Sequence, residues 1–241
     1  MKPILNKLGE PRAFFGRKVA KNLGISQKAL FEKLLPSLEI KIDDDGLINP
    51  SSLFLDMPKI KKIILEIGYG GGEHLARKAQ ENPDIAYIGC EVFSGGIGKL
   101  LDKIDRNNIK NIRLYSDDAL KILNALEPNS IDEIYLLYPD PWPKTRHNKR
   151  RFVSNMTLDV MAKTLTHEGK FHFASDIEDY ANWTLAHILD HSEFYWPLQK
   201  PASWHEPFEG WQPTRYEQKA KREGRIKSFY FSFEKKLILD I

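Results

Sequence analysis

The chain has 241 residues, of which 41% are hydrophobic and 29% are charged, and its formal net charge is +3 at pH 7. This length suffices for one sizeable hydrophobic core and is short for two full domains. The single cysteine, Cys90, excludes an intramolecular disulfide and a multi-cysteine metal site, which favours a cytoplasmic location. No apolar run has the length of a membrane span or of a signal peptide, so we expect neither membrane association nor export.

Residues 1–58 are predicted to form a basic N-terminal arm with one short helix, in the segment SQKALFEKLLP. Residues 59–241 are predicted to form a single α/β domain. In this region, apolar runs such as KKIILEIG, IAYIGCE, NIRLYS and IDEIYLLYP alternate with the helical segments EHLARKAQ, GGIGKLLDKI and DALKILNAL. This alternation predicts a parallel sheet covered by helices on both faces.

The C-terminal part of the chain departs from this alternation. The strand GKFHFASD precedes a predicted helix from about Ile177 to Asp190, which is followed by the apolar runs EFYWPLQ and IKSFYFSFEKKL. The connection between these two runs contains no helix long enough for a standard crossover. We therefore predict a doubly wound, Rossmann-like α/β fold with a seven-stranded, mostly parallel sheet and an antiparallel strand at its edge.

Each of the first five predicted strands is followed by an acidic residue. Ligands of doubly wound sheets bind beyond the carboxyl ends of the strands, so these side chains are predicted to share one rim. The acidic residues are Glu66, Glu91, the pair Asp117 and Asp118, Asp140, and Asp176.

The glycine loop GYGGG, from Gly68 to Gly72, follows the first strand. It lacks the third glycine of a dinucleotide fingerprint, because Glu73 stands at that position, and Glu66 precedes the loop. Two flanking anions oppose a diphosphate and favour a nucleoside that carries a positive centre. S-adenosylmethionine has a sulfonium and an ammonium group and fits this pattern, with Gly68 and Gly70 predicted to approach it.

Two further acidic residues suit the nucleoside part of such a ligand. Glu91 follows the second strand, near the position from which an acid accepts hydrogen bonds from a ribose diol in related folds. Asp118 is predicted to contact the adenine amino group. Either Asp117 or Asp118 could instead cap the helix that follows.

The basic segment Lys144–Arg151 holds five cationic residues and no acidic one, so the rest of the chain carries a net negative charge. A concentrated cationic patch favours a polyanionic partner, because neutralising phosphates requires several cations within reach of one backbone. The alternative interpretation is a solvated surface loop.

Other chemistries find little support in the sequence. Cys90 lies in an apolar strand, which indicates packing and not nucleophilic catalysis. His187 and His191 have helical spacing without the glutamate of an HExxH motif, so no metal site is predicted. The glycine loop also lacks the GK[ST] ending of a triphosphate-binding loop.

The segments LEIGYGGG, GCEVFSGGIG, DDALKIL, YPDPWPKTRHNKRR, FASD and TRYEQKAKREG occur in this order along the chain. Together, from about Leu65 to Lys235, they resemble the bacterial tRNA (guanine-N7-)-methyltransferases, the TrmB family. The PDPWxK and RHxKRR motifs are highly specific, whereas the glycine loop is common to many methyltransferases. The resemblance implies that residues 59–241 form a methyltransferase domain that uses S-adenosylmethionine to methylate N7 of a guanine in the tRNA variable loop.

The resemblance also implies roles for individual residues. The cofactor-binding acids fall on Glu66, Glu91, Asp118 and Asp140, and the proposed catalytic residue is also Asp140. Substrate-binding positions fall on Lys144, Asp176, Thr214, Arg215, Tyr216 and Glu217. The RNA-interaction segment falls on Arg146, His147, Asn148, Lys149, Arg150 and Arg151. Phe93 and Gly71 depart from the residues frequent in the family, which predicts an altered fit around the cofactor without loss of activity.

Guanine N7 carries a lone pair and no proton, so its methylation needs no base. Asp140 is therefore hypothesised to act as an anchor and as an electrostatic partner of the cationic product. Asp176 and Glu217 are the candidates for accepting hydrogen bonds from N1–H and the N2 amino group of guanine. Trp142 could stack on the target base or pack against the sheet edge.

Three alternative functions are open at this point. They are methylation of another RNA base, RNA binding without catalysis on a methyltransferase fold, and, more distantly, a nicotinamide-dependent oxidation. A monomer and an assembly with a partner subunit are both compatible with the sequence.

Overall fold

The computed structural model describes residue 5 and residues 14–16, 18–20, 22–42, 46–57, 59–197, 201–225 and 227–236. Much of the predicted N-terminal arm before residue 22 lies outside these ranges.

A seven-stranded sheet forms the centre of the described structure, with the strand order β3-β2-β1-β4-β5-β7-β6. The strands are β1 (Lys62–Ile67), β2 (Ile85–Cys90), β3 (Ile112–Tyr115), β4 (Ile131–Leu137), β5 (Leu165–Ser175), β6 (Phe194–Tyr195) and β7 (Phe229–Lys235). Strands β1 to β5 pair in parallel. The predicted doubly wound fold is confirmed, and the order reverses between β1 and β4, where such sheets bind ligands.

The antiparallel strand that the sequence predicts is β7. It pairs with β5 on one side and with β6 on the other. Because β6 has only two residues, β7 is second from the edge with one short strand outside it.

Eight α-helices are present in the described ranges. They are α1 (Ile25–Lys33), α2 (Leu35–Leu38), α3 (Glu73–Glu81), α4 (Ser94–Asn107), α5 (Ala119–Ala125), α6 (Asn155–Thr164), α7 (Glu178–Asp190) and α8 (Arg215–Arg222). Helix α7 matches the helix predicted from Ile177 to Asp190 to within one residue.

Alternate side chains of the central strands fill two cores, one on each face of the sheet. Ile63 and Leu65 of β1 pack with residues of α5, α6 and α7, whereas Ile64 packs with residues of α3 and α4. Five consecutive residues of β1 are buried, as expected for a strand covered on both faces.

Part of the predicted arm packs on the domain. Helix α1 contacts α4, and the Ile40 amide donates to the carbonyl oxygen of Leu114 in β3 at 2.7 Å. Phe54 is 1% exposed and belongs to the same core as β1. These contacts attach residues 25–42 and 46–57 to the sheet, while the domain division at residue 58 stays a prediction.

Helices α6 and α8 were not predicted from the sequence. Ser154 caps α6, because its Oγ accepts the Thr157 amide at 3.4 Å and its own amide donates to Thr157 Oγ1 at 3.0 Å. Thr214 caps α8, where only Glu217 and Ala220 are buried. Helix α8 is amphipathic but very polar, with Tyr216 and Ala220 as its two apolar residues, so it contains no apolar run and its capping threonine was the available signal.

The packing of residues 46–57 predicts that Phe54→Ala lowers the free energy of unfolding by about 3–5 kcal/mol, because a large buried side chain is removed. The neighbouring Leu55 is 87% exposed, so Leu55→Ala should change the free energy of unfolding by less than about 0.5 kcal/mol. Urea denaturation of both variants measures the difference. Equal effects would contradict the integration of this segment into the core.

Candidate active site

Two adjoining cavities lie at the carboxyl ends of β1 to β4. The first cavity, of about 290 Å³, is lined by four of the predicted acids, Glu91, Asp117, Asp118 and Asp140. The second cavity is lined by Glu66 and by the N-terminal end of α8. Gly68 and Tyr138 line both cavities, so a single extended ligand could occupy the two.

The glycine loop follows β1 with left-handed backbone angles. Gly68 and Gly70 have φ values of 68° and 55°, which residues with a side chain rarely adopt. The Gly70 carbonyl oxygen would lie only 2.3 Å from a Cβ added at Gly96, so the loop and the start of α4 are in close contact. This approach brings the glycine loop next to the turn that follows β2.

Glu91 joins the glycine loop to this turn. Its Oε2 accepts the Gly70 amide at 2.9 Å, and its Oε1 accepts the amides of Val92 and Phe93 at 2.8 and 2.9 Å. Burial raises the pKa of Glu91, and these N–H groups oppose the rise. A carboxylate offers about four acceptor positions, so Glu91 retains capacity for a further donor such as a ribose hydroxyl.

Asp118, and not Asp117, caps the helix that follows, while the adenine contact of Asp118 stays a prediction. Asp118 caps α5 through Oδ1, which accepts the Leu120 amide at 3.0 Å, and its Oδ2 accepts the Phe14 amide at 2.9 Å. Asp117 forms ion pairs with Lys18 and Lys121. Burial acts to raise the pKa of Asp117, but the hydrogen bonds from Lys121 and Lys18 lower it to about 2.

Glu66 is 3% exposed and contacts a histidine that the sequence reading did not single out. Its Oε2 lies 2.7 Å from Nδ1 of His74, on the first turn of α3. The His74 ring packs at 5.3 Å from the indole of Trp211. These contacts hold the Glu66 carboxylate at the wall of the second cavity.

The Asp140 loop, Tyr138–Trp142, follows β4 in an unusual conformation. Tyr138 and Trp142 have φ values of 51° and 44° although neither is glycine. Such angles cost about 1–3 kcal/mol each and persist only where surrounding contacts enforce them. The Asp140 carboxyl lines the first cavity, and although the residue is exposed to solvent, partial desolvation of the carboxyl raises its pKa.

Residues of the N-terminal arm line the first cavity. Besides the Phe14 amide on Asp118, the Phe15 ring lies edge-on to Trp142 at 6.3 Å. The Arg150 guanidinium lies 4.9 Å from the Trp142 ring and 5.9 Å from the Phe15 ring. These contacts of Trp142 are with the arm and the basic segment and not with the sheet edge, and its stacking on the target base stays a prediction.

The basic segment contains a short 3-10 helix, Thr145–Arg150, and its side chains differ in exposure. Lys144, Arg146 and Lys149 are exposed and available to a polyanion. The Asn148 amide, oriented with its nitrogen toward acceptors, donates to the carbonyl oxygens of Trp142 and Lys144 at 3.1 and 3.2 Å. His147 packs edge-on to Trp142 at 6.0 Å.

Arg151, which the sequence places in the predicted RNA-binding set, is buried. Its side chain is 0% exposed, and its guanidinium pairs with Asp179 of α7. A buried guanidinium with protein partners is not available to an RNA phosphate in this arrangement.

The other predicted substrate residues lie around the second cavity. Thr214, Arg215 and Tyr216 line it, whereas the carboxylates of Asp176 and Glu217 are occupied by protein donors. Asp176 pairs with Arg225 at 2.9 Å and receives the Tyr216 hydroxyl at 3.3 Å.

Glu217 is also held by protein donors. It is 3% exposed and accepts hydrogen bonds from Trp211 Nε1 at 2.9 Å and from the Tyr230 hydroxyl at 3.0 Å. The Tyr230 hydroxyl also lies 3.2 Å from that of Tyr138. The sequence reading missed Trp211, Tyr230 and Tyr138, since aromatic residues at these positions resemble ordinary core residues.

Among the residues that the structure describes, no three His, Cys, Asp or Glu side chains are grouped so that they could hold a metal ion. His191 Nε2 instead lies 3.1 Å from Asp159 Oδ1. Within the same ranges, no helix is both long and apolar enough to cross a membrane.

Comparisons with known proteins place this geometry in a family. Residues 60–229 match the Methyltransf_4 family of methyltransferases. The chain is 48% identical over 223 residues to a protein of Rhizobium meliloti named tRNA (guanine-N(7)-)-methyltransferase, covering 92% of this chain and 95% of the relative. A protein of the same name from Agrobacterium fabrum is 48% identical, covering 92% and 94% of the two chains.

Solved structures support the fold alone. The aminoglycoside resistance methyltransferase NpmB1 aligns with a TM-score of 0.56 at 12% identity, covering 79% of this chain and 95% of that one. The 16S rRNA methyltransferase KamB aligns with a TM-score of 0.53 at 13% identity, covering 81% and 95%. From the identity and coverage of its relatives, this chain belongs to the tRNA (guanine-N7-)-methyltransferase family.

Proposed function

We propose that this protein transfers the methyl group of S-adenosylmethionine to N7 of a guanine in the variable loop of cytoplasmic tRNA, forming 7-methylguanosine. The observation that carries the proposal is the position of Asp140. It faces a cavity lined with acids, and the exposed cations Lys144, Arg146 and Lys149 follow it within a few residues. A cofactor pocket and a phosphate-binding surface thus meet at one loop.

The acids of the two cavities fit the cofactor when it spans both. Asp118 and Glu91 in the first cavity suit the adenine amino group and the ribose hydroxyls, with the Phe14 amide giving way at Asp118 Oδ2. Glu66 in the second cavity suits the ammonium group of the methionine part. The backbone at Gly68, which lines both cavities, allows a ligand to pass between them.

Asp140 is proposed to stabilise charge and to take no proton. Bound S-adenosylmethionine supplies an electrophilic methyl group on a sulfonium. Guanine N7 already carries an unprotonated lone pair, so no proton has to be removed before methyl transfer. The guanine ring gains positive charge during transfer, which a carboxylate fixed beside it stabilises more in the transition state than in the ground state. The polar interactions of Asp140 are strengthened because the cavity excludes part of the water.

Of the two carboxylates considered for guanine recognition, Asp176 is now the better candidate. Its contacts with Tyr216 are 3.3 and 3.4 Å long and are readily exchanged for a base N–H, while its Oδ2 keeps the ion pair with Arg225 at 2.9 Å. The bonds from Trp211 and Tyr230 to Glu217 are shorter, at 2.9 and 3.0 Å, and join α8 to β7. We therefore propose that Glu217 chiefly orders α8, and that Asp176 reads the base.

Incubation with methyl-labelled S-adenosylmethionine and unmodified tRNA should produce labelled 7-methylguanosine, identified by nucleoside analysis. The matched control is a tRNA transcript made with 7-deazaguanosine, which lacks N7 and should receive no label. Label in another nucleoside would indicate a different RNA methyltransferase. Absence of cofactor binding in calorimetry would support an RNA-binding protein without catalysis.

Asp140→Asn, which keeps the shape and removes the charge, should lower kcat by about 10²–10³-fold, the reduction typical for removal of one stabilising group in a preorganised site. Asp105→Asn on the exposed surface of α4 is the matched control and should retain kcat. The wild-type chemical step should show a solvent isotope effect near unity, because no proton moves. Wild-type turnover in Asp140→Asn would refute the electrostatic role.

Replacing both Arg146 and Lys149 with alanine should weaken tRNA binding and reduce the slope of log K against log salt concentration by about one for each phosphate that the protein no longer neutralises. Lys163→Ala is the control, because Lys163 is an exposed cation at the opposite end of β4 from the site. Its position is shown by its carbonyl oxygen, which accepts the Asn129 amide just before β4. Filter binding over a range of salt concentrations measures both. An unchanged slope in the double variant would exclude this segment from phosphate binding.

A further inference from the structure

We propose that Arg151 is a positioning residue for the Asp140 loop, acting through the backbone that follows Asp140, and that it is not an RNA ligand. This inference adds a residue to the proposed methyl transfer and rests on that function only for its kinetic readout. It is drawn from the contacts of one buried side chain.

The guanidinium of Arg151 connects the Asp140 loop to α7. Its Nε donates to the carbonyl oxygen of Pro141, the residue directly after Asp140, at 2.9 Å. Its Nη2 bonds Asp179 Oδ2, and its Nη1 lies 3.5 Å from the Asp179 carbonyl oxygen. The guanidinium therefore holds the catalytic loop at one end and the first turn of a core helix at the other.

Two aromatic rings of α7 enclose this link. The Arg151 Cζ lies 5.1 Å from the ring centre of Tyr180 and 5.1 Å from that of Trp183. The same two residues bond the backbone of Val153, since Tyr180 OH accepts its amide at 3.3 Å and Trp183 Nε1 donates to its carbonyl at 2.8 Å. Helix α7 thus contacts both the Arg151 side chain and the backbone two residues after it.

The loop needs an external constraint because its conformation is unfavourable by itself. Tyr138 and Trp142 both have positive φ values, and Pro141 lies between Asp140 and Trp142. The hydrogen bond from Arg151 to the Pro141 carbonyl oxygen connects this peptide to helix α7, which is rigid. On the other side of the loop, the Asn148 side-chain amide donates to the Trp142 carbonyl oxygen. Without Arg151 the loop should relax toward ordinary angles and displace the Asp140 carboxylate.

Lysine cannot replace arginine in this role. The link uses donors pointing in different directions from a planar group that also lies against two rings, and a lysine has one nitrogen on a flexible stem. Partial desolvation is the cause of the raised pKa of Asp140, which indicates that Arg151 acts on loop geometry more than on the charge of that carboxylate.

Arg151→Lys tests the inference with the charge preserved. Single-turnover methylation should slow by about 10–100-fold, as expected for a small displacement of a catalytic group. The tRNA Kd and its salt slope should stay within about twofold of wild type, in contrast to the Arg146 and Lys149 variant. Hydrogen exchange should rise in the peptide covering residues 135–152. The matched control is Arg106→Lys, whose side chain is 73% exposed on α4, and it should change none of these quantities.

The outcomes separate the interpretations. Weaker tRNA binding with a smaller salt slope and an unchanged single-turnover rate would make Arg151 an RNA ligand and overturn the proposal. Unchanged rate and unchanged exchange would also overturn it. If Arg151→Lys does not fold, Asp179→Ala removes the partner of Arg151 instead, at a side chain that is 69% exposed. This variant should slow single turnover about 3–10-fold with unchanged tRNA Kd. A wild-type rate and wild-type hydrogen exchange in Asp179→Ala would refute the link between Arg151 and the loop. If wild-type protein forms no 7-methylguanosine, the proposed function fails, while hydrogen exchange still decides the role of Arg151.

Discussion

The left-handed backbone on both sides of Asp140 is the constraint on which the site depends. Strand β4 brings the chain to the ligand-binding edge between β1 and β5, and the loop then turns the Asp140 carboxyl into the first cavity. Tyr138 and Trp142 adopt φ angles that cost free energy, so contacts from outside the loop must compensate. The surrounding elements supply these contacts from several directions.

The C-terminal strands support the loop from one side. Strand β7 lies beside β5 and carries Tyr230, whose hydroxyl is 3.2 Å from that of Tyr138. Tyr230 also bonds Glu217, which connects α8 to the same group. The insertion of an antiparallel strand next to β5 therefore has a local consequence, because it places α8 and the predicted substrate residues beside the Asp140 loop.

Negative and positive side chains lie at different depths around the Asp140 loop. Carboxylates line the cavities, where backbone amides and partial burial control their ionisation, as for Glu91. Exposed cations follow the Asp140 loop on the outside. A cationic cofactor and an anionic RNA would both be attracted to this edge, yet each would meet charge of the opposite sign.

The sequence by itself determined the sheet type and the family, because each depends on local information, whereas of the predicted rim acids Asp176 lines neither cavity. The alternation of apolar runs and helices predicts a parallel sheet, and the PDPWxK and RHxKRR motifs are contiguous. It did not predict α6 or α8, since the first is only weakly amphipathic and the second contains only two apolar residues, which leaves the capping residues Ser154 and Thr214 as their signals. It also left open which aspartate caps α5.

Only the tertiary structure decided what each basic side chain does. Arg150 and Arg151 are adjacent and chemically identical, yet Arg150 lies over Trp142 and Arg151 is buried against α7. Their difference arises from Asp179, Tyr180 and Trp183, which are distant in sequence and reach Arg151 only when α7 packs on the sheet. A motif specifies which residues are present, but partners from other elements decide which cations are desolvated and which stay free for phosphate.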